Sequence, residues 1–154
     1  KAIAHNLRLL HQRFSTEPRY KEHDGYGILS NKKEKYLIRA RFNESPQHCF
    51  MVYDIANYIK KFTDKVWLYE TKQPDIVFEI NKQKYAIEVE TGKALKHHRK
   101  ILLEKAKILN KTFWKNWFFV VTNKKLTKKY SKIGLTCDNR TIKNKLNRIV
   151  KSAT

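Results

Sequence analysis

The sequence predicts an α/β fold: a mixed central sheet flanked by helices, in the core order helix, strand, strand, strand, helix, strand, with an N-terminal helix and β-hairpin extension. Three observations predict it. Residues 74–80 and 85–90 alternate side-chain character on either side of a short polar turn, as a strand pair does. The run Trp117-Phe118-Phe119-Val120-Val121 is apolar without a break, as in a strand covered on both faces. Between them Leu95, Leu102, Ala106 and Leu109 recur at helical spacing, so a helix carries the chain over to a parallel strand.

Each element has its own local reason. Ile3, Leu7, Leu10 and Phe14 predict a helix over residues 2–13, and the polar stretch Ser15–Asp24, with Pro18, predicts a loop. Residues 25–30 and 35–40 flank Asn31-Lys32-Lys33-Glu34 as a β-hairpin. A basic helix followed by a basic hairpin reads either as the recognition helix and wing of a winged-helix remnant or as an extension packed on the main domain. Residues 1–44 are therefore assigned to the extension and residues 45–154 to the α/β domain. Ser45 suits an N-cap and Pro46 the first helical position. Met51, Ile55, Tyr58, Ile59 and Phe62 then form an apolar stripe. A strand over 66–70 and the two alternating strands come next, and a long helix is expected over about 94–110. Residues 124–130 predict a short basic helix and 133–137 an edge strand. Asp138 or Asn139 caps a last helix that points Ile142, Leu146, Ile149 and Val150 inward.

Composition narrows the function. The chain has 154 residues, enough for one domain with a small appendage, and 41% apolar residues, enough for a packed core. It carries 34 Lys and Arg against 14 Asp and Glu, a formal charge of +20. That excess exceeds what solubility requires and implies a polyanionic partner, with nucleic acid first because phosphate neutralisation dominates such binding. No apolar run reaches the roughly 18 residues of a membrane span. Cys49 and Cys137 lie far apart without metal-ligand spacing, which fits a reducing, cytoplasmic setting. No signal-peptide pattern opens the chain, and a first residue of Lys reads as a portion of a longer protein.

Against this basic background Glu70, Asp75, Glu79, Glu88 and Glu90 fall in one short segment. Strand alternation puts Ala86, Glu88 and Glu90 on one face and Asp75, Val77 and Glu79 on the matching face of the neighbouring strand. A turn centred on Lys82-Gln83 pairs Ile80 with Tyr85, Val77 with Glu88 and Asp75 with Glu90. Like charges opposed across a ladder destabilise it. Asp75, Glu88 and Glu90 on one face make sense if they hold a hard divalent cation. The plain alternative is a solvated outer face partly neutralised by Lys84.

The element order, Pro74-Asp75 opening the second core strand, and Glu88-Val89-Glu90 on the third resemble the PD-(D/E)XK nuclease superfamily, over roughly residues 46–137. The resemblance implies a restriction-endonuclease-like fold and a metal-dependent DNA endonuclease that hydrolyses phosphodiester bonds with Mg²⁺ or Mn²⁺. It makes Asp75 and Glu88 metal ligands. Glu90 stands where the family usually carries Lys, although some restriction endonucleases have Glu there and still cut DNA; here it joins the catalytic and metal-binding set. Lys93, or Lys96 and Lys100, are the alternative cations. His48 and Glu70 are auxiliary positions, His48 because the superfamily often places an acidic residue in the first core helix. The pattern His48, Glu70, Pro74-Asp75, Glu88-Val89-Glu90-Thr91-Gly92 also looks like replication-relaxation proteins of mobile elements, which join a winged helix to a nuclease-like domain.

Lys96, Arg99 and Lys100 begin the helix just past the carboxylates, and Lys124, Lys125, Lys128 and Lys129 follow the next strand. If that strand is parallel, both groups sit at one end of the sheet as DNA-binding residues. His97-His98 reads as a surface pair, because adjacent helical residues point apart. Trp67, Trp114 and Trp117 read as packing residues. A homodimer follows if one site per chain must cut both strands. Two other classes compete: a catalytically inactive nuclease-like DNA-binding module acting in replication or conjugation, and a basic RNA-binding protein in which the acidic face is incidental.

Overall fold

The computed structural model describes residues 20–28, 31–39, 44–69 and 73–153. The expected helix over residues 2–13 and Glu70 lie outside these residues. The chain divides into two compact units, Lys1–Tyr58 and Ile59–Thr154.

In the first unit, β1 (Tyr20–Tyr26) and β2 (Lys33–Arg39) form an antiparallel ribbon, followed by α1 (Pro46–Ile59), whose last turn contains the boundary between units. A hairpin forms, but earlier in the chain than expected: β2 begins at Lys33, inside the expected turn, while β1 shares only Gly25 and Tyr26 with the expected strand over 25–30 and takes in Tyr20–Asp24, expected as loop. Pairing with the apolar β2 residues Tyr36, Leu37 and Ile38 outweighs their polarity. Tyr36, Ile38, Cys49 and Phe50 form a small core, with the Tyr36 and Phe50 rings 4.6 Å apart. A side chain at Gly25 would come within 2.5 Å of the Phe50 ring, so glycine lets the ribbon lie against the helix. Ser45 caps α1 as expected, its Oγ accepting from the His48 N–H at 3.2 Å. The helix ends before Phe62, which is 41% exposed and not part of the apolar stripe.

The second unit is built on a five-stranded mixed sheet in the order β3-β4-β5-β6-β7, comprising Val66–Leu68, Ile76–Ile80, Gln83–Glu90, Trp117–Val121 and Thr136–Asp138. β4 runs antiparallel to both β3 and β5, while β6 runs parallel to β5 and β7 parallel to β6. The helical connection after β5 splits into α2 (Lys93–His97) and α3 (Arg99–Phe113), with His98 at a non-helical φ of −137° between them. A 3₁₀ turn (Lys124–Leu126) and α4 (Thr127–Tyr130) follow β6, and α5 (Ile142–Ala153) closes the unit. Before α5, the Asp138 carboxylate accepts from the N–H groups of Arg140 and Thr141 at 2.9 and 3.1 Å.

The β4–β5 register corrects the expected one. Its turn is Asn81-Lys82, with φ of 47° and 65°, and not Lys82-Gln83. A two-residue turn with both residues left-handed matches the twist of the flanking strands, and Asn tolerates that conformation. Phe78 therefore faces Tyr85, Val77 faces Ala86 and Ile76 faces Ile87. The slip is two residues, so every side chain keeps its face. Asp75 now comes opposite Glu88, one step beyond the Ile76–Ile87 pair.

One face of the sheet carries Val77, Ala86, Trp117, Phe119 and Val121 under Leu102, Ala106 and Leu109 of α3, with Tyr130 edge-on to Phe119. The other buries Ile76, Phe78, Ile87, Val89, Phe118 and Val120; the Lys145 amine of α5 lies 5.7 Å from the Phe118 ring centre. Trp117 is a core residue, as expected. Trp114 is not: it sits past the end of α3 at 72% exposure, beside the Lys115 amine.

Candidate active site

The β4–β5 hairpin carries Asp75, Glu88 and Glu90 on the face that α3 covers, and all three are buried. The solvated outer face is thus excluded for them. Glu79, on the same face toward the turn, is held separately by the Lys65 amine at 2.6 Å. Burying a carboxylate is costly unless its oxygens are paired. Asp75 Oδ2 accepts from the Val89 N–H at 2.7 Å. Glu90 Oε2 accepts from the hydroxyl of Tyr130, a wholly buried residue of α4, at 2.9 Å. Burial and the Glu90 carboxylate push the Tyr130 hydroxyl well above its ordinary pKa, so it stays a donor.

Glu88 differs from both. Its Oε1 accepts from the Lys105 amine of α3, but its Oε2 is buried without a hydrogen-bond partner. Leaving such an oxygen bare costs about 1–3 kcal/mol, and a native protein that keeps one usually has a reason. Desolvation, then the neighbouring Asp75 charge, push the Glu88 carboxyl up to about 8; the Lys105 charge opposes that rise, and Glu90 adds to it. A carboxyl so placed keeps its proton at neutral pH unless a cation takes the proton's place. A buried oxygen without a partner, on a strand pair that also carries the buried Asp75 carboxylate, is oxygen-donor chemistry of the kind a hard divalent ion takes.

The fit centres on Asp75 and Glu88. The three strand carboxylates do not bring ligand atoms within 4.8 Å of one another as a trio; among the described residues only Glu44, His48 and Cys49 do. The corrected register supplies the reason: Glu90 lies two residues past Glu88 and points its oxygen at Tyr130. His48 belongs to the first unit, its Nδ1 3.4 Å from Glu44 Oε2, which also accepts from Cys49 Sγ at 3.2 Å. The sequence gives little sign of that group, because only His48 and Cys49 are adjacent in it.

Lys105 is the cation that reaches Glu88, a role not among those expected of the lysines in the sequence. The signal is there: Lys105 stands three residues after Leu102 and four before Leu109, on the apolar stripe of α3 rather than its wet side. Lys93 and Lys96, expected as stand-ins, are exposed on α2 instead, and Lys100 is exposed in the first turn of α3. Lys93, Lys96, Arg99, Lys129 and Lys132 surround a cleft of ≈ 790 Å³. The parallel pairing of β5 and β6 puts α2 and the 3₁₀–α4 segment at the same end of the sheet, the end where ligands bind in open α/β sheets. Lys124, Lys125 and Lys128 are exposed on that segment but do not line the cleft.

No family model, curated protein or solved structure matches this chain. Among the described residues no helix is long and apolar enough to cross a membrane.

Proposed function

We propose that the second unit is a metal-dependent nuclease domain of restriction-endonuclease-like type that hydrolyses phosphodiester bonds in DNA. The observation that carries this reading is the buried Glu88 oxygen that has no hydrogen-bond partner, on a carboxyl whose pKa the Asp75 charge helps to raise, in a protein of charge +20. Asp75 and Glu88 would hold Mg²⁺ or Mn²⁺, which when bound polarises the scissile phosphate and lowers the pKa of a water. Lys105 offsets the negative charge that would otherwise repel a phosphodiester. Glu90, which accepts from the Tyr130 hydroxyl, would be the group that takes a proton from the attacking water. Lys96 and Arg99 grip phosphates beside the site.

The test is plasmid cleavage in Mg²⁺ and Mn²⁺ by the parent, Asp75→Ala and Glu88→Ala. Each variant should lose cleavage while binding DNA as well as the parent or better, since each removes a negative charge. Parent-like cutting by both would place the site elsewhere. A second reading is a silent DNA-binding module, favoured by Glu90 standing in place of lysine and by the internal pairing of Glu88 and Glu90. It predicts binding without product in either metal.

A further inference from the structure

The cleft beyond β5 and β6 carries more information than its charge. Five cations border it, no acidic residue lines it, and none of Lys93, Lys96, Arg99, Lys129 and Lys132 meets a carboxylate among the described residues. Uncompensated like charges around one concavity repel one another and favour an anion between them. The lining also includes two apolar side chains, Leu95 of α2 and Leu126 of the 3₁₀ turn. Leu126 packs over Gly92, where an added Cβ would come within 3.0 Å of it, so its position is set by the backbone beneath. Both leucines rest on the core under α3.

Size and shape then discriminate between ligands. A volume of ≈ 790 Å³ falls within the roughly 300–1,000 Å³ of pockets that enclose a small group. A duplex presents a broad phosphate surface with its base faces stacked inside, so it offers nothing that enters such a cleft and meets its leucines. An unstacked strand offers both a phosphate and a free base face, the combination that single-strand sites use.

We infer that this cleft seats a nucleotide of a single-stranded nucleic acid, with its phosphates against the Lys93, Lys96, Arg99, Lys129 and Lys132 charges and its base over Leu95 and Leu126. The inference rests on the nucleic-acid part of the proposed function and not on the metal. The substrate of the neighbouring carboxylates is then a single strand, a flap or an overhang.

The experiment is fluorescence anisotropy of the whole chain in EDTA, with a labelled oligothymidylate and a duplex of equal length. The parent should bind the single strand more tightly. Lys129→Glu with Lys132→Glu should weaken that binding roughly tenfold or more, about 1.4 kcal/mol or more. Lys143→Glu with Arg148→Glu, on exposed positions of α5, makes the same change in net charge away from the cleft and should weaken it far less. Equal affinity for duplex and single strand, or equal weakening by the two double variants, overturns the inference. Binding is read without metal, so a lack of cleavage would count against the nuclease reading alone.

Discussion

Replacing Glu88 by glutamine tests the buried carboxyl directly. In the parent, the folded protein holds the Glu88 proton up to about 8, whereas the unfolded chain releases it near 4.5. Between those values the folded state binds more protons, so stability falls as pH rises. At 1.36 kcal/mol per pH unit, the loss from pH 4.5 to 7 is on the order of 3 kcal/mol. The amide introduced by Glu88→Gln keeps an oxygen for the Lys105 amine and has no charge to bury. Thermal unfolding by circular dichroism in EDTA should therefore show the variant gaining on the parent across this window, by roughly 10 °C at neutral pH. Asp54, whose carboxyl burial raises to about 6, loses stability in the same direction, but it is common to both proteins and cancels in the difference. Mn²⁺ should then raise the parent's midpoint, by about 2.7 kcal/mol of stability at one hundred times the dissociation constant, and leave the variant unmoved. A parent–variant difference that is flat between pH 5 and 8 would show that Glu88 holds no extra proton, and an equal response of the two to Mn²⁺ would show that Glu88 is not an ion ligand.

Tyr130→Phe deletes the hydroxyl that donates to Glu90 and should cost about 1.5–3 kcal/mol, the range for a hydrogen bond to a charged group, read as a lower urea midpoint at unchanged slope. An unaltered midpoint would mean that the bond contributes nothing. Gly92→Ala forces a side chain onto a φ of 94° and should cost about 1–2 kcal/mol. It also presses on Leu126, so oligothymidylate binding should weaken together with stability. A variant as stable as the parent would show that the turn relaxes freely.

Much of the architecture is legible in the sequence because its signals are periodic. The alternation in β4 and β5 and the apolar run of β6 assign strands, faces and direction without any knowledge of partners. The β4–β5 register is hidden for a local reason: Asn81-Lys82 contains no glycine, and a lysine at φ 65° is an unusual half of such a turn. The slip is even, so the choice of face survives, and with it the grouping of Asp75 with Glu88. Lys105 is hidden for the opposite reason. In a chain with 34 basic residues one more lysine draws no attention, and only its place on the Leu102–Leu109 stripe marks it. Tyr130 gives no such warning; it reaches Glu90 across 40 residues from a one-turn helix that reads simply as basic.

Both outer strands of the sheet, β3 and β7, are three residues long. An unpaired strand edge is a template on which a second copy can add its own strand, and brevity is one way in which proteins blunt it. Lys65, directly before one rim, pairs with Glu79 of β4, and Arg140, shortly after the other, pairs with Asp138, so brevity rather than charge does the blunting. Two copies that meet rim to rim would find only a few backbone groups to pair, so strand addition between them gains little.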